Sequence, residues 1–246
     1  MGNGSTGQAP AAPVAEVLAF FTTNDPRPTK GLPANTPASA RLTNTERFQK
    51  RADSVATKGR VHGVDTIQQA TATLKALPAN VKLVKVFFVG HGFDDGYFFH
   101  GKPDPQSDFV AASSNETLED PTKVADPTIQ QAHKDFLVEL VKRVHPTERV
   151  EIGFLSCFSG TNSLVGAVCK VMNQAKHRNF IVGGYKNDYQ TQYVFDKGTG
   201  KILEWTDGIF DKTTKKLLPG TKMSANKIPP YETTCKSDNP IDPLDF

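Results

Sequence analysis

Leu83-Val84-Lys85-Val86-Phe87-Phe88-Val89 runs directly into Gly90-His91-Gly92, and Val150-Glu151-Ile152-Gly153-Phe154-Leu155 runs into Ser156-Cys157. Both apolar runs have strand length and are too continuous to leave one side in water. That predicts central parallel strands covered on both faces. A strand needs its apolar residues only for packing, so a His and a Cys just past two strand ends ask for another explanation. In open α/β sheets, ligands and reacting groups sit at the carboxyl ends of parallel strands.

The neighbouring segments support that sheet. Glu16–Thr22 reads as a first strand, closed by the breakers Asn24-Asp25-Pro26 and Pro28, and Thr45–Val55 as a helix. Val64, Ile67, Ala70, Leu74 and Leu77 recur at helical spacing until Pro78. Asp126-Pro127 opens another helix, a capping residue followed by Pro, with Ile129, Ala132, Phe136, Leu137, Leu140, Val141 and Val144 as its buried face. A helix around Leu164–Ala175 and a strand at Phe180–Val182 follow. This alternation predicts an α/β fold with a mostly parallel central sheet and helices on both faces. Tyr193–Phe195 and Ile202–Trp205 read as an appended β-hairpin. The expected organisation is a flexible tail over 1–14, one domain over 15–223 containing a long loop at 101–125, and a Pro-rich polar tail over 224–246.

Composition narrows the partners. The chain's 246 residues suffice for one sizeable core, and a net charge of +3 with scattered Lys and Arg gives no nucleic-acid footprint. No apolar run reaches bilayer-spanning length, and the N-terminus shows no Sec-type signal. Gly2 and Thr6 fit the loose N-myristoylation pattern, but the Gly/Ser-rich leader reads more simply as disordered. Cys157, Cys169 and Cys235 are too few for a disulfide framework or a zinc cluster, which predicts a reducing compartment. The expected place is the cytoplasm of the producing cell, with delivery outside by a route other than Sec left open.

Alone, Cys157 reads as a small buried hydrophobe and His91 as a structural histidine. Together at two strand ends, each beside small residues, they read as a nucleophile and its base. A helix starting near Thr161–Ser163 would favour the thiolate through its N-terminal dipole. Gly92 would let the backbone approach a substrate. Asp94, Asp95, Tyr185, Lys186, Asn187 and Asp188 are candidates for a substrate pocket, although Asp94-Asp95-Gly96 also reads as a solvated turn.

Four apolar residues, a small residue and His-Gly, followed later by an apolar run and Ser-Cys, resemble the caspase-like cysteine peptidases of clan CD. Gly90-His91-Gly92 matches the histidine block and Ser156-Cys157 the nucleophile block. Leu155-Ser156-Cys157-Phe158-Ser159-Gly160 is closer to bacterial CHAT-like and effector-associated members than to true caspases, which carry Gln where this chain has Leu155. The resemblance implies a three-layer caspase-like fold and peptide hydrolysis through a thioester. Cys157 would be the nucleophile, His91 the acid/base group, and the N–H groups of Gly92 and Cys157 the oxyanion donors. It implies a protein or peptide substrate, no cofactor and no metal, with self-processing or partner-controlled activation compatible with the 101–125 loop. The alternative is an inactive caspase-like scaffold. An α/β-hydrolase reading fails because Leu155 and Ser159, or Phe154 and Phe158, flank the nucleophile where small residues are needed on both sides. A metal site from His91, Asp94, Asp95 and His100 would draw every ligand from one local loop.

Overall fold

The computed structural model describes residues 12–27, 42–93, 96–101, 114–160, 163–196, 202–211, 213–224 and 227–237. Its first half runs β1 (Val14–Thr22), α1 (Asn44–Val55), β2 (Arg60–Val64), α2 (Ile67–Ala76), β3 (Val81–Val89), β4 (Gly92–Phe93), β5 (Gly96–Phe98) and β6 (Thr117–Glu119). Then come α3 (Pro127–Arg143), β7 (Val150–Leu155), α4 (Ser163–Gln174), β8 (Phe180–Gly184), β9 (Asp188–Phe195), β10 (Ile202–Asp211), β11 (Lys216–Leu217), β12 (Met223–Ser224) and β13 (Thr233–Lys236).

Six of these strands form the central sheet in the order β13-β8-β7-β3-β1-β2. All neighbours are parallel except β13, which runs antiparallel to β8. The fold is therefore α/β with a mixed, mostly parallel sheet. From β1 the chain moves outward to β2, then returns to the other side of β1 for β3. The carboxyl ends of β1 and β3 thus flank a topological switch point, where open sheets leave a crevice.

The period-2 alternation of side chains explains why these strands read as continuous apolar runs. Leu18, Phe20, Val86, Phe88, Ile152 and Phe154 face the helices α2, α3 and α4. Ala19, Phe21, Phe87, Val89 and Leu155 face the opposite layer, packed by Phe48, Ala52 and Ala56 around α1 together with Tyr185 and Ile209. Helix starts follow their sequence signals. Thr43 and Glu46 form a capping box at α1, and the Asp126 carboxylate accepts from the Thr128 and Ile129 N–H groups at α3.

Three expectations are corrected. Residues 224–246 are not simply a loose tail: Thr233–Lys236 closes one edge of the main sheet. Tyr231 lies across Gly153 and Gly183, register partners on β7 and β8, and its hydroxyl donates to Glu151 Oε1 at 2.9 Å. Two side-by-side glycines make a flat seat that no sequence period reveals. Cys169 and Cys235 are joined in a disulfide, with Cα atoms 6.2 Å apart, a pairing that the count of three cysteines does not predict. Spanning 66 positions, such a bridge is worth about 4 kcal/mol in the chain-entropy model. Part of the 101–125 loop is structured too: β6 and a 3-10 turn at Pro121–Lys123 lie within it, while 102–113 are outside the described residues. The appended hairpin is present and longer than expected, with β9 and β10 paired from Asp188 to Phe210.

A Cβ at residue 183 would run into the Tyr231 ring. Gly183→Ala should therefore cost about 2 kcal/mol through overpacking, read as a lower urea midpoint. An unchanged midpoint would mean that Tyr231 is not seated there in solution.

Candidate functional site

β3 and β7 pair in register with Val89 opposite Leu155, so His91 and Cys157 each lie two residues beyond a matched strand end. The two turns touch, because a Cβ at Gly92 would run into the Cys157 carbonyl and crowd Ser156. Only glycine permits that approach. Phe98 N–H donates to His91 C=O at 3.1 Å, making Gly92 and Tyr97 a non-hydrogen-bonded pair. The Gly92 N–H therefore points out of the β4–β5 ladder.

His91 is fixed from three sides. Its backbone N–H donates to Thr22 Oγ1 at 3.3 Å, and its ring packs edge-on against Phe48 with centroids 4.9 Å apart. Nε2 lies 2.7 Å from Asp25 Oδ2. Asp25 is fully buried just past the end of β1, across the switch point from His91. It also accepts from Arg27 Nε at 2.7 Å, from the Arg27 backbone at 3.2 Å and from Asn44 Nδ2 at 3.0 Å. Asp25 N–H donates to Thr45 Oγ1 at 2.8 Å, tying the loop to the start of α1.

Burial opposes the Asp25 charge, but bonds from Arg27, His91 and Asn44 outweigh it and hold the carboxyl well below the usual range. An ionised Asp25 can only accept, so Nε2 carries the proton and Nδ1 keeps the lone pair. Arg27 Nη2 lies 3.0 Å from Nε2 and donates to the same carboxylate. Burial lowers the His91 pKa; Asp25 pushes it up, while the Arg27 and Arg47 cations push it down. The net shift is downward, so the imidazole is neutral at pH 7. Folding lowers this pKa, so the unfolded chain takes up the proton first. His91 therefore costs stability as the pH falls below 6.5.

Cys157 is half-buried and lies outside the disulfide, and its Sγ donates to the Tyr189 carbonyl in β9 at 3.4 Å. The next residue, Phe158, has φ +56°, a left-handed turn that a bulky side chain rarely adopts. The turn is braced by Ser159 Oγ donating to the Ser156 carbonyl at 2.9 Å and Gly160 N–H to the Tyr185 carbonyl at 2.7 Å. Beside it opens a cleft of about 380 Å³ lined by Phe158, Asp188, Phe210 and Asp211.

The pocket candidates separate. Asp188 lines this cleft. Tyr185 does not reach a surface: it is fully buried, stacks on Tyr189 with centroids 4.9 Å apart and donates to the Pro229 carbonyl at 2.8 Å. Its large apolar ring is worth more in the core than in a polar cleft, and it packs in the cluster beneath α1 instead. Asp94 and Asp95 lie outside the described residues. His100 lies 3.9 Å from Asp65, and among the described residues no three His, Cys, Asp or Glu side chains are grouped to hold a metal. No described helix is long and apolar enough to cross a membrane.

Asp25 and Arg27 escape the sequence reading because Asn24-Asp25-Pro26 looks like punctuation. Only the β1–β3 adjacency brings Asp25 against His91. No protein-family model, curated protein or solved structure matches this chain.

Proposed function

We propose that the protein is a cysteine endopeptidase of caspase-like fold that hydrolyses peptide bonds through Cys157 and His91. The observation carrying this reading is the β3–β7 register, with the two turns in contact through Gly92 and Cys157. Cys157 attacks the peptide carbonyl and His91 Nδ1 receives the thiol proton, then delivers it to the departing amine. The N–H groups of Gly92 and Cys157 stabilise the tetrahedral oxyanion. Water then hydrolyses the thioester, with His91 again as base. Asp25 is a positioning residue: its charge fixes the imidazole tautomer and steadies the imidazolium that forms. Asp188 lines the adjoining cleft and would contact a substrate side chain.

The test is a panel of fluorogenic peptides varied at P1, with Cys157→Ala and His91→Ala as controls. One P1 class should be cleaved, Cys157→Ala should abolish the activity, and His91→Ala should lower kcat by about 10²- to 10⁴-fold. A panel left uncut, with Cys157 no more reactive than in denatured chain, would favour the inactive scaffold.

A further inference from the structure

We propose that Cys169–Cys235 is a thiol–disulfide exchange site for a dithiol reductant, and that its opening loosens the turn carrying Cys157. Cys235 is half-buried on the edge strand β13, Cys169 is buried in α4, and an open groove of about 520 Å³ runs beside them along Gly166, Lys170 and Asn173. The groove gives a reductant access, and the Lys170 cation attracts an incoming thiolate. One thiolate attacks Cys235 Sγ, forming a mixed disulfide and releasing Cys169 as thiolate. The second thiol of the reductant then displaces Cys235. Two electrons enter the bridge, two protons end on Cys169 and Cys235, and the reductant leaves as its own disulfide.

The bridge matters because the segment it anchors holds both sides of the Cys157 turn. Glu232 Oε2 accepts from the Lys186 and Asn187 N–H groups at 2.8 and 3.0 Å, and Oε1 accepts from Asn187 Nδ2 at 2.7 Å. Asn187 C=O in turn accepts from the Phe158 N–H at 3.3 Å. Thr233 Oγ1 donates to the Gly160 carbonyl at 2.7 Å. Residues 158, 160, 186 and 187 are thus tied to Glu232 and Thr233, at the start of the four-residue edge strand that the disulfide fastens to α4. A short edge strand has little hold of its own. The oxidised form keeps the turn ordered, and the reduced form lets it fray. Any consequence for peptide cleavage rests on the peptidase reading; the coupling to Cys157 does not.

The test compares oxidised protein, the same protein opened by dithiothreitol, and the Cys169→Ser/Cys235→Ser variant. It reads hydrogen exchange by peptide and the alkylation rate of Cys157 by mass spectrometry. Opening should speed exchange at 158–160 and 185–187 by about tenfold or more, leave β1 and α1 unchanged, and shift Cys157 alkylation by about threefold or more. Should the double variant not fold, the reduced wild-type chain alone decides. Exchange confined to 231–236 with an unchanged Cys157 rate would overturn the proposal, as would a bridge that dithiothreitol cannot open in native protein. Peptide cleavage absent in both redox states would defeat the peptidase reading while leaving this coupling intact.

Discussion

On the proposed peptidase chemistry, Asp25→Asn is expected to lower peptide cleavage by about 10²-fold or more while the chain still folds. Asn keeps the shape but loses the charge, and its amide can present an N–H to His91 Nε2. The imidazole would then carry its proton on Nδ1, the nitrogen needed to accept one from Cys157. Loss of the negative charge also withdraws the Asp25 hydrogen bond and charge that raise the His91 pKa, so the acid limb of activity should move lower still. Asp25→Ala is more severe. It leaves Arg27, Asn44 and His91 as donors around an empty buried site, and should cost about 3–5 kcal/mol of stability, read by urea unfolding. Its wild-type contribution is present above pH 3.8 and is lost as the pH falls through the depressed native pKa. Full activity in a well-folded Asp25→Asn protein would reduce Asp25 to a structural anchor.

Arg51→Ala should be equally damaging to the fold. Arg51 and Asp207 form an ion pair in the layer beneath the site, with side chains 4% and 0% exposed. Arg51 also donates to Tyr189 Oη at 3.0 Å, the Lys227 carbonyl at 2.9 Å and Ser54 Oγ at 3.2 Å. Removing the guanidinium strands a buried carboxylate and three acceptors, an expected loss of about 3–5 kcal/mol. The Arg51→Met/Asp207→Leu pair removes both charges and should recover most of that loss, because desolvating the pair consumes much of its attraction. Equal destabilisation of single and double variants would show that the hydrogen bonds to Tyr189 and Lys227, and not the stranded charge, carry the cost. Tyr189 links this pair to the site, since its carbonyl meets Cys157.

The central strands were legible because burial on both faces leaves an unbroken apolar signature, as in Val86–Val89. Helix starts were legible because capping is local: Asp126-Pro127 states its role within four residues. β2 was not, since Arg60-Val61-His62-Gly63-Val64 is a sheet-edge strand with little apolar pattern. β13 escapes for a related reason: Tyr231, Glu232 and Thr233, at its start, are held by partners 46–80 positions away. At the site, His91 and Cys157 announced themselves by interrupting apolar runs, whereas Asp25 sits among turn residues. Its role depends on sheet order, which no local spacing encodes.

The measurement that bears most directly on the paired His91 and Cys157 is the rate of Cys157 alkylation by iodoacetamide against pH. Oxidised native protein and its His91→Ala variant are compared, with modification assigned by mass spectrometry. The paired arrangement predicts reaction faster than in denatured chain, an inflection below pH 6.5 from the imidazole with its lowered pKa, and a loss of about tenfold or more with disappearance of that inflection in His91→Ala. A Cys157 rate unmoved by His91→Ala across the whole pH range would contradict it.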